Sequence, residues 1–171
     1  MVGHHNPLSH TGGLLHYELR GQGQTTTLPL TNCGLEQHVE DFQRVLSHLE
    51  DTHADFADQG KVDLCGFSFG GRVALAIAAN LPDRVRCVVA TGVPADRGAT
   101  GRVILRAWRS SLEAGNLEGF LWQSLADGHS AAFLARHESR LQGWVKSAAD
   151  ANECEAIAAL VGQAEPHCMN H

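Results

Sequence analysis

The spacing of apolar residues along this chain predicts where its helices and strands lie. From Leu35 onward the apolar residues follow a helical period, which predicts an amphipathic helix with His38 and His48 on its polar face. The helical stripe consists of Leu35, Val39, Phe42, Val45, Leu46 and Leu49. Three short apolar runs are typical of buried strands instead: residues 14–19 (LLHYEL), 62–65 (VDLC) and 85–91 (VRCVVAT).

The two later strands flank a predicted helix. Residues 72–81 (RVALAIAANL) are rich in helix formers, and Pro82 ends them. A strand, a helix and a second apolar strand in this order form a parallel β-α-β unit. The sequence therefore predicts the α/β fold class.

The chain changes character after Gly98. Its Trp, Leu, Ala, Arg and Glu residues fall at helical spacing, with no further strand and with breaks expected near Gly115, Gly128 and Gly143. We therefore expect a core in residues 1–98, and a helical segment with a tail in residues 99–171.

Composition narrows the function classes. The 171 residues are 43% hydrophobic and carry a formal net charge of −6, which suits one folded core and disfavours binding to nucleic acid or to an anionic membrane. No apolar run approaches the roughly 20 residues that span a bilayer, and the N-terminus has no apolar signal region. We expect a cytoplasmic protein with neither a nucleic-acid nor a membrane partner.

Cysteine and histidine spacing predicts neither disulfides nor a metal. Five cysteines without a C-x-x-C pair favour a reducing compartment. Histidine and cysteine also cluster at the termini, without the second ligand pair of a structural zinc site. These residues are His4, His5, His167, Cys168 and His171.

The stretch GFSFGG, residues 66–71, is a G-x-S-x-G motif between a predicted strand and a predicted helix. In that context the serine, Ser68, sits on a strained turn and acts as a nucleophile, while the Phe69 amide donates to an oxyanion. Side chains two residues before and after Ser68 would collide with the backbone, so Gly66 and Gly70 meet that need. Phosphate-binding readings fail: Arg72 stands where a P-loop needs Lys, and a dinucleotide motif needs Gly at position 68.

At these residues the chain resembles the α/β-hydrolase superfamily, in its small esterase, lactonase and haloperoxidase-like branch. The matching stretches are residues 16–25, 34–49, 62–85 and 85–92, with residues 108–137 similar to the helical cap of that branch. The resemblance implies a partial α/β-hydrolase fold: strands 4, 5 and 6 of a mostly parallel sheet, helices on both faces, and a cap. It also implies a serine hydrolase that needs no cofactor and takes a small-molecule acyl substrate.

The resemblance further implies a catalytic acid and a histidine after later strands, and this sequence has no such segments. Asp96 follows a predicted strand but is more typical of a solvated loop. No histidine in this sequence occupies the position that the family gives to its general base. The remaining candidates for that base are weaker than such a histidine would be: His38, His48, His129, His137, His167 and His171. Residues 10–13 (HTGG) resemble an oxyanion loop in composition but lie too close to the first strand. We therefore expect a chain shortened at both ends relative to the family.

Two alternatives to the esterase hypothesis stay open. The chain is either a catalytically incomplete fragment or isoform that at most binds a ligand, or an acyltransferase or cofactor-free haloperoxidase on the same nucleophile turn. The aromatic residues of the cap either line an acyl pocket or pack the cap; they are Trp108, Trp122, Trp144, Phe120 and Phe133. With few strands predicted, we expect exposed sheet edges that favour self-association.

Overall fold

The structure is a computed structural model that describes residues 13–25, 33–53, 60–94 and 98–163. The described residues group into two compact units. One lies within Met1–Leu19 and Leu35–Val93, and the other within Arg20–Gly34 and Pro94–His171.

The first unit is built on a short parallel sheet. Its elements are α1 (Leu35–Thr52), β1 (Val62–Phe67), α2 (Phe69–Asn80) and β2 (Val85–Thr91). The two strands pair in parallel, with Leu64 opposite Val88 and Phe67 opposite Thr91. The β-α-β unit and the α/β fold class are thus confirmed. Strand β1 ends at Phe67, two residues beyond the predicted end at Cys65 and directly before Ser68.

The core of this unit lies on one face of the sheet. Helix α2 packs on both strands, and α1 packs on α2. The buried apolar side chains of this core are Val39, Phe42, Leu46, Val73, Ile77 and Val85. The helical stripe predicted from Leu35 supplies three of them, which explains why α1 forms where it does.

The other face of the sheet is open within the described residues. Cys65 and Phe67 of β1 are exposed there, together with Cys87 and Val89 of β2. Phe67 is 74% exposed and Val89 53% exposed, although both are large apolar side chains. Within this unit the described helices pack on one face of the sheet, and the large apolar side chains of the other face are exposed.

The prediction of a strand at residues 14–19 is wrong. Residues 13–19 have no regular secondary structure, and Leu19 packs against the core without entering the sheet. The described sheet has two strands, which pair only with each other. A strand is stable only beside a partner, so an apolar run without one stays irregular. The turn predicted after it is present, with Gly21 and Gly23 at positive φ.

The second unit is helical where the structure describes it. Its helices are α3 (Gly98–Glu113), α4 (Leu117–Gly128), α5 (Ala131–Ala151) and α6 (Cys154–Gly162). Helix α3 packs against α4 and α6, and α4 packs against α5. The buried apolar side chains on these helices are Leu105, Leu112, Val145, Ala156 and Leu160. No described helix is long and apolar enough to cross a membrane.

Two of the three predicted helix breaks are confirmed. Gly115 lies between α3 and α4 at φ 71°, and Gly128 is the last residue of α4. The break predicted at Gly143 is wrong, because α5 runs through it for 21 residues. One glycine costs a helix only about 1 kcal/mol relative to alanine. Burial of Val145 two residues later favours the continuous helix.

Candidate active site

Ser68 is the single residue between β1 and α2. Its backbone angles are φ 51° and ψ −118°, and among the described residues it is the only non-glycine with a positive φ. Such a conformation costs an L-residue on the order of 1–3 kcal/mol and persists only where the surroundings enforce it. The predicted strained backbone at a strand-to-helix junction is therefore confirmed.

The backbone of Ser68 is held on both sides while its hydroxyl is not used. Ser68 N donates to Thr91 O at 2.8 Å, and Ser68 O accepts from Gly71 N at 3.0 Å and Arg72 N at 3.3 Å. Ser68 occupies the N-cap position of α2, but its side chain makes no capping hydrogen bond. The residue is exposed, and no group in the described part of the chain hydrogen-bonds to Oγ. The hydroxyl is therefore open to an incoming molecule.

Phe69 is the first residue of α2, and its backbone amide and its ring have different roles. The first N–H groups of a helix have no intrahelical acceptor, and no described residue accepts from the Phe69 amide. The positive end of the helix dipole adds to its attraction for an anion. The Phe69 ring is half-buried against the core, 5.5 Å from the His38 ring in an edge-on contact. Packing of the ring thus fixes the helix end that carries the amide.

An added Cβ would overlap neighbouring atoms at Gly66 and at Gly71, whereas the sequence predicts this for Gly66 and Gly70. A Cβ on Gly66 would overlap backbone atoms of Gly70 and Gly71, none of which can move aside like a side chain. A Cβ on Gly71 would overlap Val93 Cγ2 and lie 3.1 Å from Gly66 O. The prediction for Gly70 is wrong, because a Cβ there would meet nothing within 4 Å. Gly71 has that role, because its α-carbon faces β1 and the turn after β2.

One of the histidines weighed as a base lies elsewhere than predicted. His38 is buried on the core side of α1, 1% exposed, where a polar face was predicted. It falls three residues after Leu35 and four before Phe42, so the apolar stripe itself contained the signal. His48 is exposed, as predicted. Asp96, His167 and His171 lie outside the described residues.

The other two candidate histidines belong to a ring cluster in the helical unit. The Phe133 ring lies 4.6 Å from both the His129 ring and the His137 ring, and Trp144 lies 5.3 Å from His137. His129 Nδ1 is also 3.1 Å from Leu125 O, at the end of α4. These contacts engage both imidazoles in packing at the junction of α4 and α5.

Two other aromatic residues of the helical unit, Trp108 and Phe120, pack on each other. Trp108 meets Phe120 edge-on at 5.6 Å, and Trp108 Nε1 donates to Asp127 Oδ2 at 2.9 Å. Trp122 is 36% exposed and Trp144 39% exposed. Ring packing is thus present at Trp108, Phe120 and Trp144, and a role of these aromatic residues in an acyl pocket stays a prediction.

One ion pair joins the two strands on the exposed face of the sheet. Arg86 Nε donates to Asp63 Oδ1 at 2.8 Å, and a second hydrogen bond joins Arg86 Nη2 to Asp63 Oδ2. The hydrogen bonds from Arg86 hold the pKa of Asp63 below its usual value. Within the described ranges no three His, Cys, Asp or Glu side chains are grouped to hold a metal ion. The terminal histidines and Cys168 lie outside those ranges.

A strained serine between a parallel strand and a helix, with a free helix amide beside it, is the local geometry that the G-x-S-x-G motif predicts. The sequence profile of the alpha/beta hydrolase family matches residues 5–166, nearly the whole chain. The chain belongs to the alpha/beta hydrolase family.

Solved structures agree with this family assignment at the level of the fold. One is MGS-M2, an alpha/beta hydrolase enzyme from a Medee basin deep-sea metagenome library, with 22% sequence identity and a TM-score of 0.72. The match covers 88% of this chain and 53% of that one. Another comes from a study of carboxylesterases of the ammonia-oxidizing thaumarchaeon Nitrososphaera gargenis, with 18% identity and a TM-score of 0.62. It covers 86% of this chain and 51% of the other.

This alpha/beta hydrolase chain therefore spans about half the length of each of these two structures. No curated protein matches it. The site itself has one feature that the motif did not reveal: Thr91, which ends β2, and Gly92 and Val93, which follow it, contact the nucleophile turn. The positive φ of Gly92 has a sequence signal, because a glycine directly after a strand is typical of a turn.

Proposed function

We propose that this chain supplies the nucleophile of a serine hydrolase acting on a small carboxylic ester or lactone through an acyl-enzyme on Ser68. The observation that carries the proposal is the backbone of Ser68, strained to φ 51° while its hydroxyl caps nothing. A serine that served only to start the helix would use its oxygen as a cap. The family and the fold support hydrolase chemistry.

The proposed reaction has two halves. Ser68 Oγ forms a bond to the acyl carbon, its proton passes to a general base, and the carbon's bond to the alkoxy oxygen breaks. That oxygen leaves with a proton as an alcohol or, for a lactone, as the free hydroxyl of the acyl chain. Water then attacks the acyl carbon and Ser68 is released. The Phe69 amide stabilises the oxyanion in both halves, a contribution typically worth about 3 kcal/mol per donor.

A second candidate function is a protein that binds or is acylated but does not turn over. It is favoured because no group in the described residues hydrogen-bonds to Ser68 Oγ. Proteins that lose triad members typically retain only about 10³ to 10⁴ over water, from binding and the oxyanion hole. For the chain alone we therefore expect ester turnover close to background.

The two functions separate in one assay with p-nitrophenyl acetate. We expect slow release of about one p-nitrophenolate per protein, with the acetyl group mapped to Ser68 by mass spectrometry. Ser68→Ala removes both signals, and Ser47→Ala, at an exposed serine of α1, leaves them unchanged. Acetylation that survives Ser68→Ala overturns the nucleophile. Turnover at ordinary enzyme rates that Ser68→Ala abolishes overturns the second candidate.

A further inference from the structure

The last residue of β2 and the two residues after it contact the nucleophile turn. Thr91 O accepts the hydrogen bond from Ser68 N at 2.8 Å. A Cβ on Gly92 would stand 3.5 Å from Phe67 Cε2 and 3.7 Å from Ser68 N, so the Phe67 ring lies over Gly92. Val93 Cγ2 fills the space beside Gly71 that a Cβ there would need. Residues 91–93 thus touch the chain before, at and after Ser68.

These contacts restrain the strained residue from both ends. A conformation as unfavourable as that of Ser68 relaxes unless its neighbours are fixed on both sides. The entry side is fixed by pairing of Phe67 with Thr91 at the end of the sheet. The exit side is fixed where Val93 lies against the first turn of α2. None of residues 91–93 carries a group that the proposed chemistry uses.

Gly92 allows the turn to follow this path. Its φ of 69° is a conformation that glycine adopts at no steric cost. Any other L-residue is strained there, and relief of that strain rotates the neighbouring peptide that carries the Thr91 carbonyl. The hydrogen bond to Ser68 N is therefore the first contact that a change at Gly92 disturbs.

We propose that residues 91–93 form a positioning element for Ser68: the Thr91 carbonyl and the Val93 side chain hold the nucleophile turn in its strained conformation. The inference rests on the proposed role of Ser68 and adds to it the residues that set its geometry. A displacement of about 1 Å at a reacting group can cost about 100-fold in rate. Small changes in this turn therefore reach the reaction through Ser68.

The test uses the full chain and two readouts. The first is the second-order rate constant for labelling of Ser68 by an alkyl phosphonofluoridate, measured by mass spectrometry. The second is amide hydrogen exchange of Ser68 N–H, which reports its hydrogen bond to Thr91 O whether or not Ser68 reacts. We expect Gly71→Ala to lower the labelling rate about 10- to 100-fold and to speed exchange at Ser68.

Rescue distinguishes positioning from general damage. Val93→Ala removes Cγ2, and the Cβ added by Gly71→Ala takes its place between α2 and residue 93. The Gly71→Ala/Val93→Ala double variant therefore keeps a contact there and regains most of the labelling rate and the slow exchange. The remaining deficit comes from Gly66 O, which stays 3.1 Å from the new Cβ. Gly143→Ala is the matched helical control, since its Cβ meets nothing within 4 Å, and it changes neither readout.

Gly92→Ala provides a second, independent route to the same contact. We expect faster exchange at Ser68 and slower labelling. Gly115→Ala introduces a side chain at a closely similar φ, 71°, with nothing within 4 Å, and leaves Ser68 unaffected in protein that still unfolds cooperatively.

The outcomes separate this inference from the proposed function. If the wild type resists the phosphonofluoridate but Ser68 exchange follows the expected order, the nucleophile fails and the positioning element stands. If Ser68 is labelled in the wild type and the double variant is no better than Gly71→Ala in either readout, the positioning element is overturned.

Discussion

The two units of this protein each place a serine before a helix, and the two serines do opposite things. Ser130 precedes α5 in extended backbone, φ −71° and ψ 152°, and its Oγ accepts from Phe133 N at 3.3 Å. Ser68 precedes α2 at φ 51° and its hydroxyl accepts nothing from that helix. The serine at Ser130 contributes to folding in the usual way. The one at Ser68 is held at a cost to stability with its oxygen available, which is how function and stability come into conflict.

The largest expected effect is on the fold of the nucleophile turn itself. Gly66→Ala places a Cβ inside the backbone of Gly70 and Gly71, and backbone cannot repack. We expect a loss of at least about 3 kcal/mol in the free energy of unfolding, measured by urea denaturation. Gly128→Ala, with nothing within 4 Å of its Cβ, serves as control. A Gly66→Ala protein as stable as that control would show that the turn is loosely packed.

Replacement of Ser68 by glycine and of Ser130 by alanine is expected to change the free energy of unfolding in opposite directions. Ser68→Gly removes the strain of a positive φ and raises the free energy of unfolding by about 1 kcal/mol, while it abolishes acylation. Ser130→Ala loses the cap of α5 and lowers that free energy by about 1 kcal/mol, without effect on acylation. Thermal and urea unfolding measure both. If Ser68→Gly lowers the free energy of unfolding, the backbone conformation of Ser68 does not cost the protein stability.

Local sequence predicted the parts of the fold that depend on neighbours close in the chain. Helix α1 follows from its own apolar stripe, and the nucleophile turn follows from the residues between Gly66 and Gly71. Residues 14–19 have the composition of a strand but lack a partner strand in the described structure, and composition cannot supply one. His38 lies within the apolar stripe by its spacing, so its position on the helix, and not the polarity of histidine, determines that it is buried.

The site was predictable to the same extent. Ser68 and the Phe69 amide follow from the motif, whereas the contacts of residues 91–93 depend on how β2 returns beside β1 after the crossover of residues 68–84. Gly70 and Gly71 show the limit within the motif. Which of these two glycines faces neighbouring residues depends on the first turn of α2, and the motif alone does not specify it.

A charge placed on the open sheet face of the first unit is expected to reduce self-association, whereas a charge placed on an exposed helix of the second unit is not. Unpaired edges and exposed apolar side chains on a sheet favour association between chains. We expect the protein to self-associate with rising concentration, and Val89→Lys to shift it toward monomer in sedimentation velocity. Val103→Lys is the matched control, because Val103 is a 63% exposed valine on helix α3. Equal effects of the two lysines, or a monomeric wild type, would argue against the sheet as the contact.

The smallest expected effect is on the pKa of Tyr17, which depends on how residues 13–19 pack within the first unit. Burial, and then the negative charge of Asp41, raise the pKa of Tyr17 above its usual 10.0. Tyr17 is the only tyrosine in the chain, so its titration is read directly by ultraviolet absorbance. We expect a midpoint above 10.0 that falls only partly in Asp41→Asn, because burial is the larger cause.

The sign of the stability effect at Tyr17 follows from this direction. A raised pKa stabilises the folded state below the unfolded value of about 10, and that stability is lost as the pH rises through the folded value. Asp51→Asn, a change at an exposed carboxylate further along α1, is the control. A midpoint at or below 10.0 in the wild type would mean that residues 13–19 do not pack as the structure places them.

The central claim, that Ser68 is held as a nucleophile, is tested most directly by where a serine-directed reagent binds. The intact protein is treated with an alkyl phosphonofluoridate at limiting concentration, digested, and every serine peptide is quantified by mass spectrometry. We predict that the label is concentrated on Ser68, that Ser130 stays unlabelled, and that prior unfolding in urea abolishes the preference. Label spread evenly over the serines of the folded protein, or its absence from Ser68, would contradict the account.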